Sequence, residues 1–585
     1  VTLFFLHYRV SLAGRRSLLK TNYGDFRVHL SSKKSGAIVT AKGKGAIACV
    51  SRRAAEFGMA ALKDGGNAFD AAFALAFALA LYHPQAGNIG GGGYLLFKQK
   101  GSAKPTAFNY REESPEGATR EAFLLPDCAP DPEVTAFGPK SACVPGTVKA
   151  FFTLQNEFGR LKAKDILLAL RRRAEEGAYV TQYEAECLNR LAPKLAVSPE
   201  SRRVYVKGTG PFEEGDVIQN PNLAKTFETL AIEGEKAFYR GKIAEQIERD
   251  IGGNGGFLTV EDLAEYSIKQ VEPLSAEIGG KRVWTVPPEA GGSLLVEILN
   301  ILDREAFFSI RPWTAEFFHY IAQASKMAFI DRLDYLGDIP FETNDVYRGI
   351  FDKSRAERLF GLIDCESDRP TDDLARDLRA GSTGVQKDGP SGCETTHFSV
   401  VDAEGNAVSS SYTLNLRYGS KWSVEGAGFL LNGSMDAFSF SEGKANYFGV
   451  IGSVPNLFDR RKRPASNMAP VLVTDGSTVE MILGTPGGPA IPTTLSFVLL
   501  SIIAHGLDPR EVCAAGRVHH QGWPDLLYTE KGTLSENLLS GLTKKGYTLE
   551  DKNEPIGDVH AVFRNGSEYL AVSDYRREGC ALSHQ

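Results

Sequence analysis

Ser391-Gly392-Cys393-Glu394-Thr395-Thr396-His397-Phe398-Ser399-Val400-Val401, then Asp402-Ala403-Glu404-Gly405-Asn406, then Ala407-Val408-Ser409-Ser410-Ser411-Tyr412-Thr413-Leu414-Asn415 decides the fold. Two strand-like runs flank a short polar turn, which predicts a β-hairpin. Gly405 stands where a three-residue loop, a type I turn closed by a left-handed residue, calls for glycine. With Asp402 opposite Asn406, Thr395 falls opposite Thr413, and Asn415 lies diagonal to it on the same face. Three polar side chains then meet at one strand end.

A threonine hydroxyl is a weak nucleophile without a base beside it. One compact base is the residue's own α-amine, whose pKa of about 7.7 to 8.0 leaves a neutral fraction at pH 7. Thr395 is internal, so that amine requires the Glu394–Thr395 bond to be cut. The Thr395 hydroxyl can do this itself by an N-to-O acyl shift and hydrolysis. The fragments would have 394 and 191 residues, together the 585 of the chain.

Outside the hairpin the pattern is mixed helix and strand. Helices are predicted from Ala54 to Lys63, from Asn67 to Tyr82, from Thr147 to Glu157, from Ala163 to Glu176 and from Ala315 to Leu333. The second is almost wholly apolar and must be buried, being shorter than the roughly 18 residues that suggest a membrane span. Gly90 to Gly93 follow that helix and precede a strand at Tyr94 to Phe97. A phosphate loop needs the reverse order, so tight backbone packing is the expectation. Asp364 to Gly392 is poor in apolar residues and reads as an exposed linker.

Composition narrows the function. Hydrophobic residues make up 43% and charged residues 24%, the balance of a globular protein. With 66 basic against 72 acidic residues the net charge is -6, which gives no general attraction to nucleic acid or anionic membrane. Eight scattered cysteines without a C-x-x-C pair argue against a disulfide framework or a zinc site. His519 and His520 adjoin and no H-E-x-x-H occurs, so neither metal nor cofactor is expected. Residues 1–36 read as an irregular basic arm. Their first residues make no convincing signal peptide, so the cytoplasm is favoured; periplasm or exterior stays open because the chain begins at Val1.

The quoted hairpin resembles the maturation site of the γ-glutamyltranspeptidase family, which are N-terminal-nucleophile hydrolases. The likeness continues through Gly65-Gly66-Asn67-Ala68-Phe69-Asp70, Val144-Pro145-Gly146-Thr147, Arg463-Pro464-Ala465-Ser466, Thr485-Pro486-Gly487-Gly488 and Ser573-Asp574-Tyr575-Arg576-Arg577. The resemblance implies an α/β fold, a four-layer αββα sandwich built from two autoproteolytic fragments. Residues 37–394 would form the large-subunit part and 395–585 the small-subunit part of one interwoven domain. The two would stay together as a heterodimer, with further pairing left open.

By the same resemblance Thr395 is both the self-cleaving residue and the nucleophile, Thr413 bonds its hydroxyl, and the Gly487 and Gly488 amides hold the oxyanion. Arg111 would grip the substrate α-carboxylate as a bidentate fork, with Ser466 beside it. Asn415 would sit in the glutamyl pocket, and Phe448 in a loop over it. Three positions depart from the family. Ala437 stands where an acid usually pairs with the substrate ammonium, leaving Asp436 as a weak substitute that strand alternation would turn away. Ser434 and Asn467 replace an acidic or amide residue and a second serine.

Hydrolysis or transfer of γ-glutamyl amides such as glutathione, to water or an amino acid, is the leading expectation. The alternatives are an amidohydrolase or acylase for a carboxylate-bearing acyl group without the amino group, and an uncut binding protein. Cys393 is a rival nucleophile by proximity, without a counterpart in the family mechanism.

Overall fold

A computed structural model describes residues 38–585 except 288, 340–344, 379–392, 445, 448–451 and 553. Among these, two seven-stranded sheets are antiparallel throughout. The first runs Cys580–His584, Gly45–Cys49, Cys393–Val401, Ala407–Leu416, Gly92–Lys98, Thr106–Asn109, Lys269–Val271. The second runs Val39–Gly43, Glu568–Ser573, His560–Asn565, Thr478–Gly484, Val471–Asp475, Lys281–Thr285, Leu274–Ile278.

The hairpin sits near the centre of the first sheet, in the register expected from its turn. Thr395 pairs with Thr413 and Val401 with Ala407, and a bulge breaks the ladder between Cys393 and Thr395. Gly405 takes a φ of 96°, which glycine adopts without steric cost. Asp402 organises the turn. Its Oδ1 accepts the amides of Glu404, Gly405 and Asn406 at 2.9, 2.9 and 3.0 Å, and its Oδ2 accepts the Ala68 amide at 3.0 Å. One carboxylate thus ties the hairpin to the start of a helix.

That helix, Ala68–Tyr82, is buried along nearly its whole length. Asn67 and Asp70 form a reciprocal capping box at its start. The Asp70 carboxylate also accepts from Gln155 Nε2 at 2.6 Å and from the amides of Arg160 and Leu161 at 3.0 and 2.8 Å. The other predicted helices are present as Arg52–Lys63, Thr147–Phe158, Ala163–Glu176 and Ala315–Tyr335. Among the described residues no helix is long and apolar enough to cross a membrane.

Alternation along the hairpin sorts its residues between two cores. Phe398, Val400, Val408 and Tyr412 join helices Ala68–Tyr82, Thr147–Phe158 and Ala163–Glu176 on one face. Val401 and Ala407 join Leu472, Ile482 and Val562 of the second sheet on the other. The second sheet packs its far face on helices Gly292–Leu302, Ala315–Tyr335 and Ala490–Leu499. Hydroxyls stitch the sheets together: Ser399 donates to the His560 carbonyl at 3.0 Å and Ser409 to that of Leu483 at 3.2 Å.

The glycine run packs as expected. A side chain at Gly91 would meet the Thr413 carbonyl at 2.1 Å, and one at Gly93 the Ser411 carbonyl at 2.3 Å. The expected linker is not uniformly exposed. Thr371–Leu378 is a helix whose Thr371, Leu374 and Ala375 are buried, because its apolar residues recur at helical spacing within a polar stretch. Residues 379–392 lie outside the described residues, as does the expected arm.

Candidate active site

Thr395 and Thr413 face the inter-sheet layer at the open end of the hairpin. The Thr395 hydroxyl donates to Thr413 Oγ1 at 3.4 Å. The Thr413 hydroxyl donates to the Glu394 carbonyl oxygen at 2.5 Å, and its oxygen accepts the Asn415 amide at 2.8 Å. Thr413 therefore bonds both the hydroxyl that would attack and the carbonyl that would be attacked. His397, two residues along the same face, is buried between the hydroxyls of Ser411 and Ser399 at 2.8 and 3.0 Å. Burial holds its pKa well below the usual histidine value, as suits a packed strand residue.

Both threonines line one pocket together with Arg111, Asn415, Asp436, Ala437, Ser466, Asn467 and Gly488. Residues far apart in the chain thus converge. Gly487 is next to that lining, Glu394 is buried outside it, and Phe448 lies outside the described residues. Asn415, next to the last residue of its strand, has a φ of 73° and donates to the Gly433 carbonyl at 2.9 Å. It is both a strand-end turn residue and part of the pocket wall.

Gly487 and Gly488 lie between strand Thr478–Gly484 and helix Ala490–Leu499. Their φ values of 135° and 55° fall where side chains are strained. The turn precedes a ten-residue helix whose N-terminal dipole favours negative charge nearby.

Arg111 is 1% exposed. Its Nη1 contacts Glu112 Oε2 at 2.5 Å and its Nε donates to the Pro464 carbonyl at 3.3 Å. Glu112 in turn accepts from Ser434 Oγ at 2.9 Å. Sequence reasoning gave Glu112 no role, although it adjoins Arg111. The guanidinium is thus fixed in place and its charge partly balanced, and Nη2 has no protein partner among the described residues.

The alternation argument against Asp436 fails. Ser434–Ala437 is a 3-10 turn, in which neighbours do not face opposite ways, and both Asp436 and Ala437 line the pocket. Asp436 Oδ1 accepts from Thr135 Oγ1 at 3.1 Å and from the Tyr447 amide at 3.0 Å, while Oδ2 is buried without a partner among the described residues. Burial pushes its pKa up to about 6. Neither Thr135 nor Tyr447 carries a sequence signal that links it to Asp436.

No group of three or more metal-ligating side chains occurs among the described residues. The family model for gamma-glutamyltranspeptidase matches residues 54–583. A glutathione hydrolase proenzyme of Escherichia coli (strain K12) is 35% identical over 536 residues, covering 91% of this chain and 90% of its own length. That of Pseudomonas aeruginosa is 34% identical over 564 residues, covering 95% and 97%.

Among solved structures, the gamma-glutamyltranspeptidase of Helicobacter pylori superposes with a TM-score of 0.53 at 30% identity, covering 62% of this chain and all of that one. A cephalosporin acylase from Bacillus halodurans superposes with a TM-score of 0.79 at 23% identity, covering 95% and 98%, a likeness of fold alone. With a family match along nearly the whole chain and relatives aligned over nine-tenths or more of their length, the protein belongs to the gamma-glutamyltranspeptidase family of glutathione hydrolase enzymes.

Proposed function

We propose that the chain cuts itself between Glu394 and Thr395 and then cleaves γ-glutamyl amides through an ester on Thr395. The observation that carries this is the Thr413 hydroxyl, bonded at once to the Thr395 hydroxyl and to the Glu394 carbonyl. In the uncut chain it polarises the carbonyl under attack. After the cut, the Thr395 α-amine takes the hydroxyl proton as Oγ adds to the substrate amide carbon. The Gly487 and Gly488 amides stabilise the oxyanion, and losing one such donor typically costs about 2.7 to 4 kcal/mol. The amine returns the proton to the leaving group, and water or an amino acid releases the acyl group.

Arg111, with Ser466 and Asn467 nearby, receives the α-carboxylate. Asp436 is the counter-charge for the ammonium in place of the acid missing at Ala437. Its unpartnered oxygen supports this, because a buried acceptor without a donor costs about 1 to 3 kcal/mol until a ligand supplies one. Asn415 closes the same wall. The two fragments, 37–394 and 395–585, remain one interwoven domain with the αββα layering of N-terminal-nucleophile hydrolases.

A second reading rests on Ala437 in the pocket wall: an acylase for a carboxylate-bearing acyl group without the amine. The test is fragment mapping of purified protein, then kcat/KM for a γ-glutamyl anilide against its glutaryl analogue. Two fragments meeting at Thr395 and a γ-glutamyl preference are expected. A large glutaryl preference selects the second reading, and a chain that stays whole removes both.

A further inference from the structure

Glu394 is an acidic residue without exposed surface at the last position before the proposed cut. Taking a carboxylate out of water costs several kcal/mol unless partners replace the water. Its partners come from three parts of the fold. Tyr183, on helix Gln182–Leu195, donates its hydroxyl to Oε1 at 3.0 Å. Arg577 donates Nη2 to Oε2 at 3.1 Å and brings Nη1 within 2.9 Å of Oε1, so it spans both oxygens. Arg417 places Nε 3.3 Å from Oε2, an ionic contact outside hydrogen-bond alignment, while its Nη1 donates to Glu554 at 3.2 Å.

The main chain of the same residue is held as well, since the Glu394 carbonyl accepts the Thr413 hydroxyl. Glu394 is therefore fixed at its side chain and at its carbonyl, on either side of the atom to be attacked. Tyr183, Glu394, Arg417 and Arg577 are all absent from the lining of the substrate pocket, so recognition of the acyl group does not explain them. A buried ionic cluster is also weak evidence for stability by itself. What it does supply is a fixed position.

We propose that Tyr183, Arg417 and Arg577 clamp the Glu394 side chain and thereby hold the Glu394–Thr395 peptide in the geometry for self-cleavage. This rests on the maturation reading above. Thr395 Oγ adds to the Glu394 carbonyl carbon, its proton passes to the amide nitrogen, and the C–N bond breaks to leave an ester and a free amine. Water then hydrolyses the ester, which restores the Thr395 hydroxyl and leaves a second carboxylate on Glu394. Glu394 is a positioning residue in the first of these steps. The ion pairs also join the two fragments, because Glu394 and Tyr183 precede the cut while Arg417 and Arg577 follow it.

The test uses the full chain, parent and variants, purified quickly and followed on denaturing gels as the uncut form disappears. Glu394→Gln and Arg577→Met are expected to slow the cut at least tenfold. Arg577→Lys, which keeps the charge, should stay within about threefold of the parent, a rescue that a packing role alone would not give. Tyr183→Phe loses one hydroxyl and should slow the cut at least twofold, which keeps the proposal open to refutation if the larger changes prevent folding. Folded Glu394→Gln or Tyr183→Phe cutting at the parental rate overturns the clamp, as does Arg577→Lys as slow as Arg577→Met. A parent chain that never cuts overturns the maturation reading itself, and the parent lane alone tells the two failures apart.

Discussion

Replacing Thr413 with valine removes one oxygen and keeps the branched shape of the side chain. That oxygen donates to the Glu394 carbonyl, accepts from Thr395 Oγ1 and accepts the Asn415 amide. The first bond lies where negative charge develops as the carbonyl is attacked. Loss of a donor there is worth about 2.7 to 4 kcal/mol, or roughly 100- to 1,000-fold in rate. The third bond bears on stability, since an orphaned buried amide costs about 1 to 3 kcal/mol. The variant should therefore fold with a lowered melting temperature and cut itself at least 100-fold more slowly. Timed denaturing gels measure the cut, and circular dichroism of the uncut chain measures folding. Self-cleavage within threefold of the parental rate would refute the role given to this hydroxyl. Loss of cleavage only in proportion to the unfolded fraction would refute it equally.

Thr395→Ala should abolish both the cut and amidase activity, whereas Cys393→Ala should abolish neither; a cutting Thr395→Ala chain moves the nucleophile elsewhere. Asp436, with a pKa raised to about 6, is ionised above that pH, so kcat/KM for a γ-glutamyl anilide should rise as pH increases through about 6. The glutaryl analogue should lack that rise, and an identical limb for both substrates would exclude Asp436 as the ammonium partner. The same shift has a stability sign: a carboxyl raised in the folded state favours folding below about pH 4 and loses that contribution as pH rises through about 6. Asp436→Asn should then reduce the fall in ligand-free stability across that window, and an unchanged profile counts against it. Asp70→Ala removes the shared acceptor of Asn67, Gln155, Arg160 and Leu161 and should cost about 3 kcal/mol, read as a lowered melting temperature; a shift below one degree would show the carboxylate to be dispensable.

The hairpin was legible because its register follows from one turn. Gly405 sets the loop, and strict alternation through the seven pairings from Val401–Ala407 then carries Thr395 opposite Thr413 without ambiguity about faces. The long apolar helix was legible because nothing but burial suits it. Asp436 was misread because a chain reversal between strands has no two-residue period, and the 3-10 turn at Ser434–Ala437 has no signature that separates it from extended chain. The support around Glu394 was hidden for a different reason. Arg417 and Arg577 are 160 residues apart in sequence and Tyr183 lies more than two hundred residues before either, and pairings over such distances leave no local pattern. Glu112 was the nearer miss, since it adjoins Arg111 and shares its burial.

Strand order has a consequence for assembly. Gly45–Cys49 lies between Cys580–His584 and Cys393–Val401, while Ala407–Leu416 lies between Cys393–Val401 and Gly92–Lys98. If the chain is severed after Glu394 as proposed, the strands of each piece fall into two groups in this sheet, parted by strands of the other, so each would be an incomplete template for the other. On that proposal the continuous polypeptide would have to finish folding before it is nicked. Denaturing the nicked form should discard information that cooling or dilution does not restore.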